Sequence, residues 1–383
     1  MTTTDLAPRA PDDAGPPPPR TWLTQTAAAA VAGYLLVRVI GVLFLWLWAD
    51  DQGQNVLTLL GYKYDSVHYL DIVENGYDRA EAPKSTMAFF PLYPMLVAGL
   101  AAITPLSAMG AGIAVAWLAG VAAAWGVYTV GRHLRDHRTG VLLAVLWGVL
   151  PHAIVESMAY TESLFTALAA WSLYAVLTQR WLTAGVLCLF AGLTRPTATA
   201  LIAAVGLAAL ITVFQRPTNW RAWLAGLLAP LGWLGYLTWV AIRTGRPDGW
   251  FWIEHEGWFT GWDGGTYTWR FVTKVLSTPS HVTFYVVTLV MLISLALFTH
   301  TVADRLPWPL LLFSAILLIT TIGGDGMYNA KARFLLVAFP LLIPIAVALA
   351  RARPTNTWIT LTTLTTVSAY FGGHLLMVWH ISP

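Results

Sequence analysis

Eleven helix-length apolar runs dominate this chain, and they leave it few folds to choose from. A stretch of about 20 apolar residues spans the hydrocarbon core of a bilayer. The first run, 27–48, is followed by others near 110–131, 139–155, 163–178, 181–194, 197–214, 222–242, 282–299, 308–322, 334–349 and 357–377. These runs are unbroken, whereas the strands of a membrane barrel alternate every second residue. Charged residues make up 11% of the 383, against about 25% in soluble domains. Too little polar surface remains to cover a water-facing protein of this size. The expected fold class is therefore an all-α integral membrane bundle of about 11 transmembrane helices.

The same numbers exclude other classes. The formal net charge of +3 comes from 22 Lys and Arg against 19 Asp and Glu. No basic stripe exists that would follow a nucleic acid. The single cysteine, Cys188, lies in the apolar run VLCLF, so no intrachain disulfide can form. Walker, Rossmann and HExxH patterns are absent, which removes support for nucleotide-driven transport, a dinucleotide cofactor or zinc proteolysis. No cofactor is expected.

Residues 1–21 hold four consecutive prolines, three acids and no apolar periodicity. That composition predicts a disordered tail, with a single polytopic domain over 22–383. The run 27–48 is too long for a signal peptide and reads as an uncleaved first helix. Arg132, Arg135, Arg138, Arg180, Arg216, Arg221, Arg305, Arg351 and Arg353 fall in alternate gaps. Cytoplasmic loops are enriched in such residues, so the tail is expected in the cytoplasm of a multi-pass cell-membrane protein. Two long segments, about 50–109 and 243–281, then face outward. This alternation requires that Phe89–Ile103 does not cross the membrane. The segment is short and ends at Thr104-Pro105, which suits an interfacial or re-entrant helix; an ordinary short span is the alternative.

The residues with chemistry collect on that outer side. In YKYDSVHYLDIVENGY, Asp65 and His68 are three apart and share a helix face. A carboxylate beside aromatics near the bilayer is a candidate general base; an N-cap or a solvated loop acid fits the spacing equally, and Asp71 and Glu74 compete for the role. In HAIVESMAYTESLF, His152, Glu156 and Glu162 stand between two runs. Thr161 to Ser163 also suits a helix cap, with Glu162 complementing the dipole. Arg38, Arg195, Lys331 and Arg333 are cations in apolar surroundings. Arginine matches phosphate in fork geometry, so Arg195, Lys331 and Arg333 suit an anionic lipid phosphate, with membrane-interface anchoring as the alternative. Arg38 calls for a carboxylate or phosphate partner. The second outer segment offers Glu254, Glu256 and Trp258 among further tryptophans. Aromatic planes with carboxylates are what a sugar site uses.

Taken in order, YDSVHYLDIVENGY, FFPLYP, AYTESLF, GLTRPTA and RFLLVAFPLL resemble the GPI mannosyltransferase 2 (PIG-V) family of membrane glycosyltransferases and, more widely, the GT-C superfamily. The similarity covers about 62–340. The family's acidic motif begins Trp-Asp, whereas here Tyr64 precedes Asp65. The proline-rich tail suggests a bacterial relative, for which a GPI acceptor does not exist. The resemblance implies a polyprenyl-phosphate sugar donor, polyprenyl-phosphate mannose in the family, and a glycolipid or glycan acceptor on the outer face. It implies inversion at the anomeric carbon with Asp65 as base. Charge and placement then assign Arg195, Arg333 and Lys331 to the donor phosphate, and His68, Glu162, Glu254, Glu256 and Trp258 to acceptor or sugar. Asp65 lacks an Asp-x-Asp neighbour, so no metal is expected. A secondary transporter or lipid-linked sugar flippase is the rival class, and an acyl or phosphate-lipid transferase is a further one. Transporters concentrate polar breaks near the midplane, whereas this chain places its polar residues at one face.

Overall fold

A computed structural model describes residues 20–78 and 84–383, with side chains from 27 onward. Most of the predicted tail therefore lies outside the described residues. Every apolar run is helical. The helices are α1 (Arg20–Asp51), α2 (Val56–Gly61), α3 (Asp65–Asn75), α4 (Leu92–Ile103), α5 (Ala108–Leu134), α6 (His137–Gly148), α7 (Glu162–Leu177), α8 (Trp181–Gly192) and α9 (Ala198–Gln215). They continue with α10 (Trp220–Leu228), α11 (Leu231–Thr244), α12 (Gly249–Trp258), α13 (Thr266–Ser277), α14 (Val282–Ala303), α15 (Trp308–Gly323), α16 (Lys331–Phe334), α17 (Ile343–Arg351) and α18 (Pro354–Met377). Five described segments are long and apolar enough to cross a membrane, or six if the bent segment 328–351 is one span.

Helix α5 is the hub and packs on α1, α4, α6 and α7. Lipid gives helices no hydrophobic reason to associate, so small residues that allow close approach carry the packing. Gly131 lies against Gly140 of α6, and Gly126 lies against Ala170 and Trp171 of α7. Trp171 Nε1 donates to the Ala122 carbonyl at 3.0 Å, and Ser172 Oγ donates to the Ala184 carbonyl at 2.9 Å. Asp136 caps α6 by accepting from the Thr139 N–H at 2.8 Å.

Two runs that read as continuous are broken. The 222–242 run divides at Pro230, whose ring cannot continue the helical hydrogen bonding, into α10 and α11. The 334–349 run divides around Ala338 and Pro340, and the pieces meet at 76°. That bend keeps Lys331 and Arg333 buried in the protein interior.

The segment 50–109, expected to face outward, folds into α2, α3 and α4. At 1.5 Å per residue, the 12 residues of α4 reach about 18 Å, short of the ~30 Å hydrocarbon core. The Tyr93 hydroxyl donates to the Gly112 carbonyl at 2.8 Å and ties α4 to α5. The segment 243–281 forms α12 and α13. Between them β1 (Gly261–Trp262) pairs antiparallel with β2 (Gly324–Asp325), with Gly261 opposite Asp325.

Candidate active site

The segments 50–109 and 243–281 and the bent α16 region line a cavity of about 580 Å³. Asp65 lines it from the first turn of α3. The residue before it, Tyr64, holds φ 58° and ψ −127°, a backbone state that bulky residues rarely adopt and that collects at functional sites. Tyr64 is anchored by its hydroxyl, which donates to the Leu375 and Trp379 carbonyls at 2.9 and 2.6 Å. The Asp65 N–H in turn donates to the Tyr160 hydroxyl at 3.0 Å. The carboxylate, 15% exposed, is therefore aimed by the turn before α7, by α18 and by the chain beyond it.

Charges of opposite sign alternate along one wall of the cavity. Arg333 Nη1 donates to Asp65 Oδ2 at 2.6 Å, and its Nε lies 3.6 Å from Glu162 Oε1. Arg195 Nη1 stands 2.5 Å from the same Glu162 oxygen. One buried carboxylate thus faces two guanidiniums. Arg333 also sits over the rings of Tyr160 and Phe334, at 5.2 and 5.3 Å, and a guanidinium stacks well on aromatic faces. Among the described residues Glu162 Oε2, which is buried, has no hydrogen-bond partner. Glu162 opens α7, where the helix dipole favours a carboxylate; Thr161 makes no side-chain cap there.

Seven of the nine residues expected at the site line this cavity: Asp65, Glu162, Arg195, Glu254, Trp258, Lys331 and Arg333. Glu254 Oε2 accepts from Thr260 Oγ1 at 2.6 Å, and burial pushes its carboxyl up to about 7. The Lys331 ammonium donates to the Thr321 and Gly324 carbonyls at the end of α15, both at 2.7 Å. That leaves at most one of its three protons for a ligand. His68 and Glu256 do not line the cavity. The His68 ring is stacked on Phe89 and meets Trp258 edge-on, each at 4.9 Å. Burial holds its pKa below the ordinary value, against the opposing charge of Asp65. Glu256 is exposed and pairs with His255 Nδ1 at 3.0 Å.

The competing acids separate cleanly. Asp71 and Glu74 are exposed on the far side of α3, and Asp71 accepts from Asn75 Nδ2 at 2.8 Å. Among the described residues no carboxylate bonds directly to Arg38, although the buried Glu156 lies near enough for the two charges to interact. The Arg38 guanidinium donates to the Gly148 carbonyl at 3.0 Å and to Ser157 Oγ at 3.2 Å, because the end of α6 presents an unpaired carbonyl beside it. Among the described residues His152 makes no side-chain hydrogen bond; its ring packs against Phe371.

Ser382 carries no sequence signal and still joins the site. Its hydroxyl donates to Asp65 Oδ1 at 3.1 Å and lies 3.4 Å from Arg333 Nη1, while its carbonyl accepts from Asn329 Nδ2 at 2.6 Å. Asp65 therefore has one hydrogen bond on each oxygen, and roughly two of its ~four lone-pair sites remain open. Asp325, also unmarked by the sequence, lines the cavity, and its buried Oδ1 has no hydrogen-bond partner among the described residues.

No known protein family or curated protein matches the chain by sequence. By structure it is similar to ArnT from Cupriavidus metallidurans bound to undecaprenyl phosphate, with TM-score 0.54 and 13% identity over 90% of this chain. The chain spans 62% of the length of that protein. An oligosaccharyltransferase of Archaeoglobus fulgidus aligns with TM-score 0.48 and 13% identity over 90% of this chain and 55% of its own. Identity this low speaks for the fold alone. The chain has an all-α, polytopic membrane fold of the GT-C type.

Proposed function

We propose that the protein is a membrane glycosyltransferase that moves a sugar from a polyprenyl-phosphate donor to a hydroxyl of a lipid-linked or cell-envelope glycan. In line with its PIG-V-like motifs, we read it as an inverting mannosyltransferase working on the outer face, with the N-terminus in the cytoplasm. The observation that carries this reading is the alternation Asp65, Arg333, Glu162, Arg195 along one wall of a largely apolar cavity. The bound undecaprenyl phosphate of the ArnT neighbour supports the donor class.

The chemistry follows from the charges. A lipid phosphate entering the cavity competes with the carboxylates for Arg195 and Arg333. As Arg333 turns toward phosphate it frees Asp65 Oδ2, which then accepts the hydrogen bond of the acceptor hydroxyl. The acceptor oxygen bonds to the anomeric carbon as the bond from that carbon to the phosphate oxygen breaks, and its proton passes to Asp65. The developing negative charge on the leaving phosphate is met by the two guanidiniums, which Glu162 has already oriented. Donor arrival and exposure of the base are thus one event.

The test uses purified protein in nanodiscs with radiolabelled polyprenyl-phosphate mannose and a host lipid extract. Asp65→Asn keeps the shape and removes the base, so transfer should fall by about 10²–10⁴-fold with expression unchanged. Wild-type turnover in that variant would sink the base assignment. Failure of the wild-type protein to bind the donor would sink the lipid-phosphate reading.

A further inference from the structure

A second cavity, of about 540 Å³, lies against the first. The two share Trp258, Asp325, Gly326 and Met327, so the loop that carries β2 is a partition with one face toward each. The lining changes character across it. Behind the partition stand Phe259, Tyr267, Asp263 and Arg270. Asp263 accepts the N–H groups of Gly265 and Tyr267 at 2.9 and 2.6 Å, which fixes its carboxylate at the start of α13 with lone pairs to spare. Arg270 is exposed, and among the described residues no ion pair holds it.

The backbone of this wall is held in unusual states. Phe259 has φ 54° and Met327 φ 40°. Such values are costly for bulky side chains, and persist where the surroundings fix them. Phe259 is also 78% exposed, so burial of its ring does not compensate. Gly326 has φ 68°, and a Cβ there would run into the Phe259 carbonyl. These strained residues flank the β1–β2 pairing on both strands, and Phe259 and Asp325 line the same cavity.

We propose that the second cavity binds a hexose-like, polyhydroxylated headgroup: the glycan end of the acceptor. The acceptor role rests on the transferase reading above; the carbohydrate site does not. Ring C–H faces stack on Phe259 and Tyr267, hydroxyls donate to Asp263 and Asp325, and Arg270 donates to hydroxyl or ring oxygens. A headgroup held there lies beside the donor cavity, and the acceptor reaches toward Asp65 past the edge that the two cavities share at Trp258, Asp325, Gly326 and Met327.

The experiment is saturation-transfer NMR of methyl α-D-mannopyranoside with the full chain in nanodiscs, which needs no turnover. Wild type and Asp65→Asn should both saturate the ring protons. Phe259→Gly removes the ring while relieving a left-handed backbone, so it should fold at least as well, yet bind several-fold more weakly. Asp325→Asn should weaken binding at least about tenfold, the scale of one hydrogen bond to a charged group. Absence of transfer to wild type, or equal binding by both second-cavity variants, overturns the proposal. Loss in Asp65→Asn alone also overturns it, by placing the sugar in the first cavity. If donor transfer fails its own test while this binding holds, the carbohydrate site stands and the transferase reading falls.

Discussion

The α5–α9 bundle and the loop-built site solve opposite problems in one molecule. The bundle has almost no polar groups to satisfy, and its precision comes from what is missing: glycines and alanines that let backbones touch. The site is crowded with groups that must be satisfied, and it relies on pairs drawn from distant parts of the chain. Removing a side chain should therefore hurt the site most, while adding one should hurt the bundle most.

The largest effect is expected from Arg333→Leu. It leaves Asp65 and Glu162 without their shared cation, and stranding a buried charge costs about 3–5 kcal/mol. Thermal melting in detergent should show that loss, and donor binding should vanish with it. Near-normal stability would mean that Arg195 alone serves both acids.

Glu254 provides a smaller and pH-dependent handle. Its folded carboxyl titrates near 7 against an ordinary 4.5, so the folded state holds the proton more tightly. Stability should fall as pH rises from about 4.5 through 7. Glu254→Gln should flatten that dependence and raise the stability at pH 8 by at most about 3 kcal/mol given partial solvent screening, seen as a higher melting temperature. A wild-type melting temperature that does not change between pH 5 and 8 would refute the buried-acid description.

Where α11 packs on α8 of the bundle, the sign reverses. Gly232→Ala places a methyl group against the Leu189 carbonyl of α8, and backbone cannot step aside; overpacking of this kind costs about 1–3 kcal/mol. Gly235→Ala, one turn along the same helix, meets nothing within 4 Å and should stabilise by up to about 1 kcal/mol through helix propensity. Equal melting temperatures for the two variants would show that close approach is not what holds α8 to α11.

Sequence legibility divides along the same line. Hydropathy exposes every helix of the bundle, because each is an apolar run flanked by polar residues. It does not expose the break at Pro230 or the 76° bend near Ala338, where local geometry overrides an apolar composition that is continuous across both. Asp65, Glu162, Arg195 and Arg333 stand out as charges in apolar surroundings, yet nothing in their spacing tells that Arg333 bridges the two acids. Lys331 looks equivalent to Arg333 in the sequence; the carbonyls at the end of α15 claim most of its protons. Ser382 is invisible for a simpler reason, since a serine near a proline predicts a turn and nothing more.

The bond between Asp65 and Arg333 joins residues 268 positions apart, and Ser382 meets Asp65 across 317. At ~5–20 residues per second of synthesis, roughly 15–50 s separate the emergence of the acid from that of its cation. Throughout that interval the nascent chain holds Asp65 without Arg333, and Glu162, once made, has only Arg195 to face it. Mispairing or premature burial of those two acids is thus the hazard in the biogenesis of this protein. Whatever inserts it must keep α3 and the start of α7 near water until the ribosome has passed the bend.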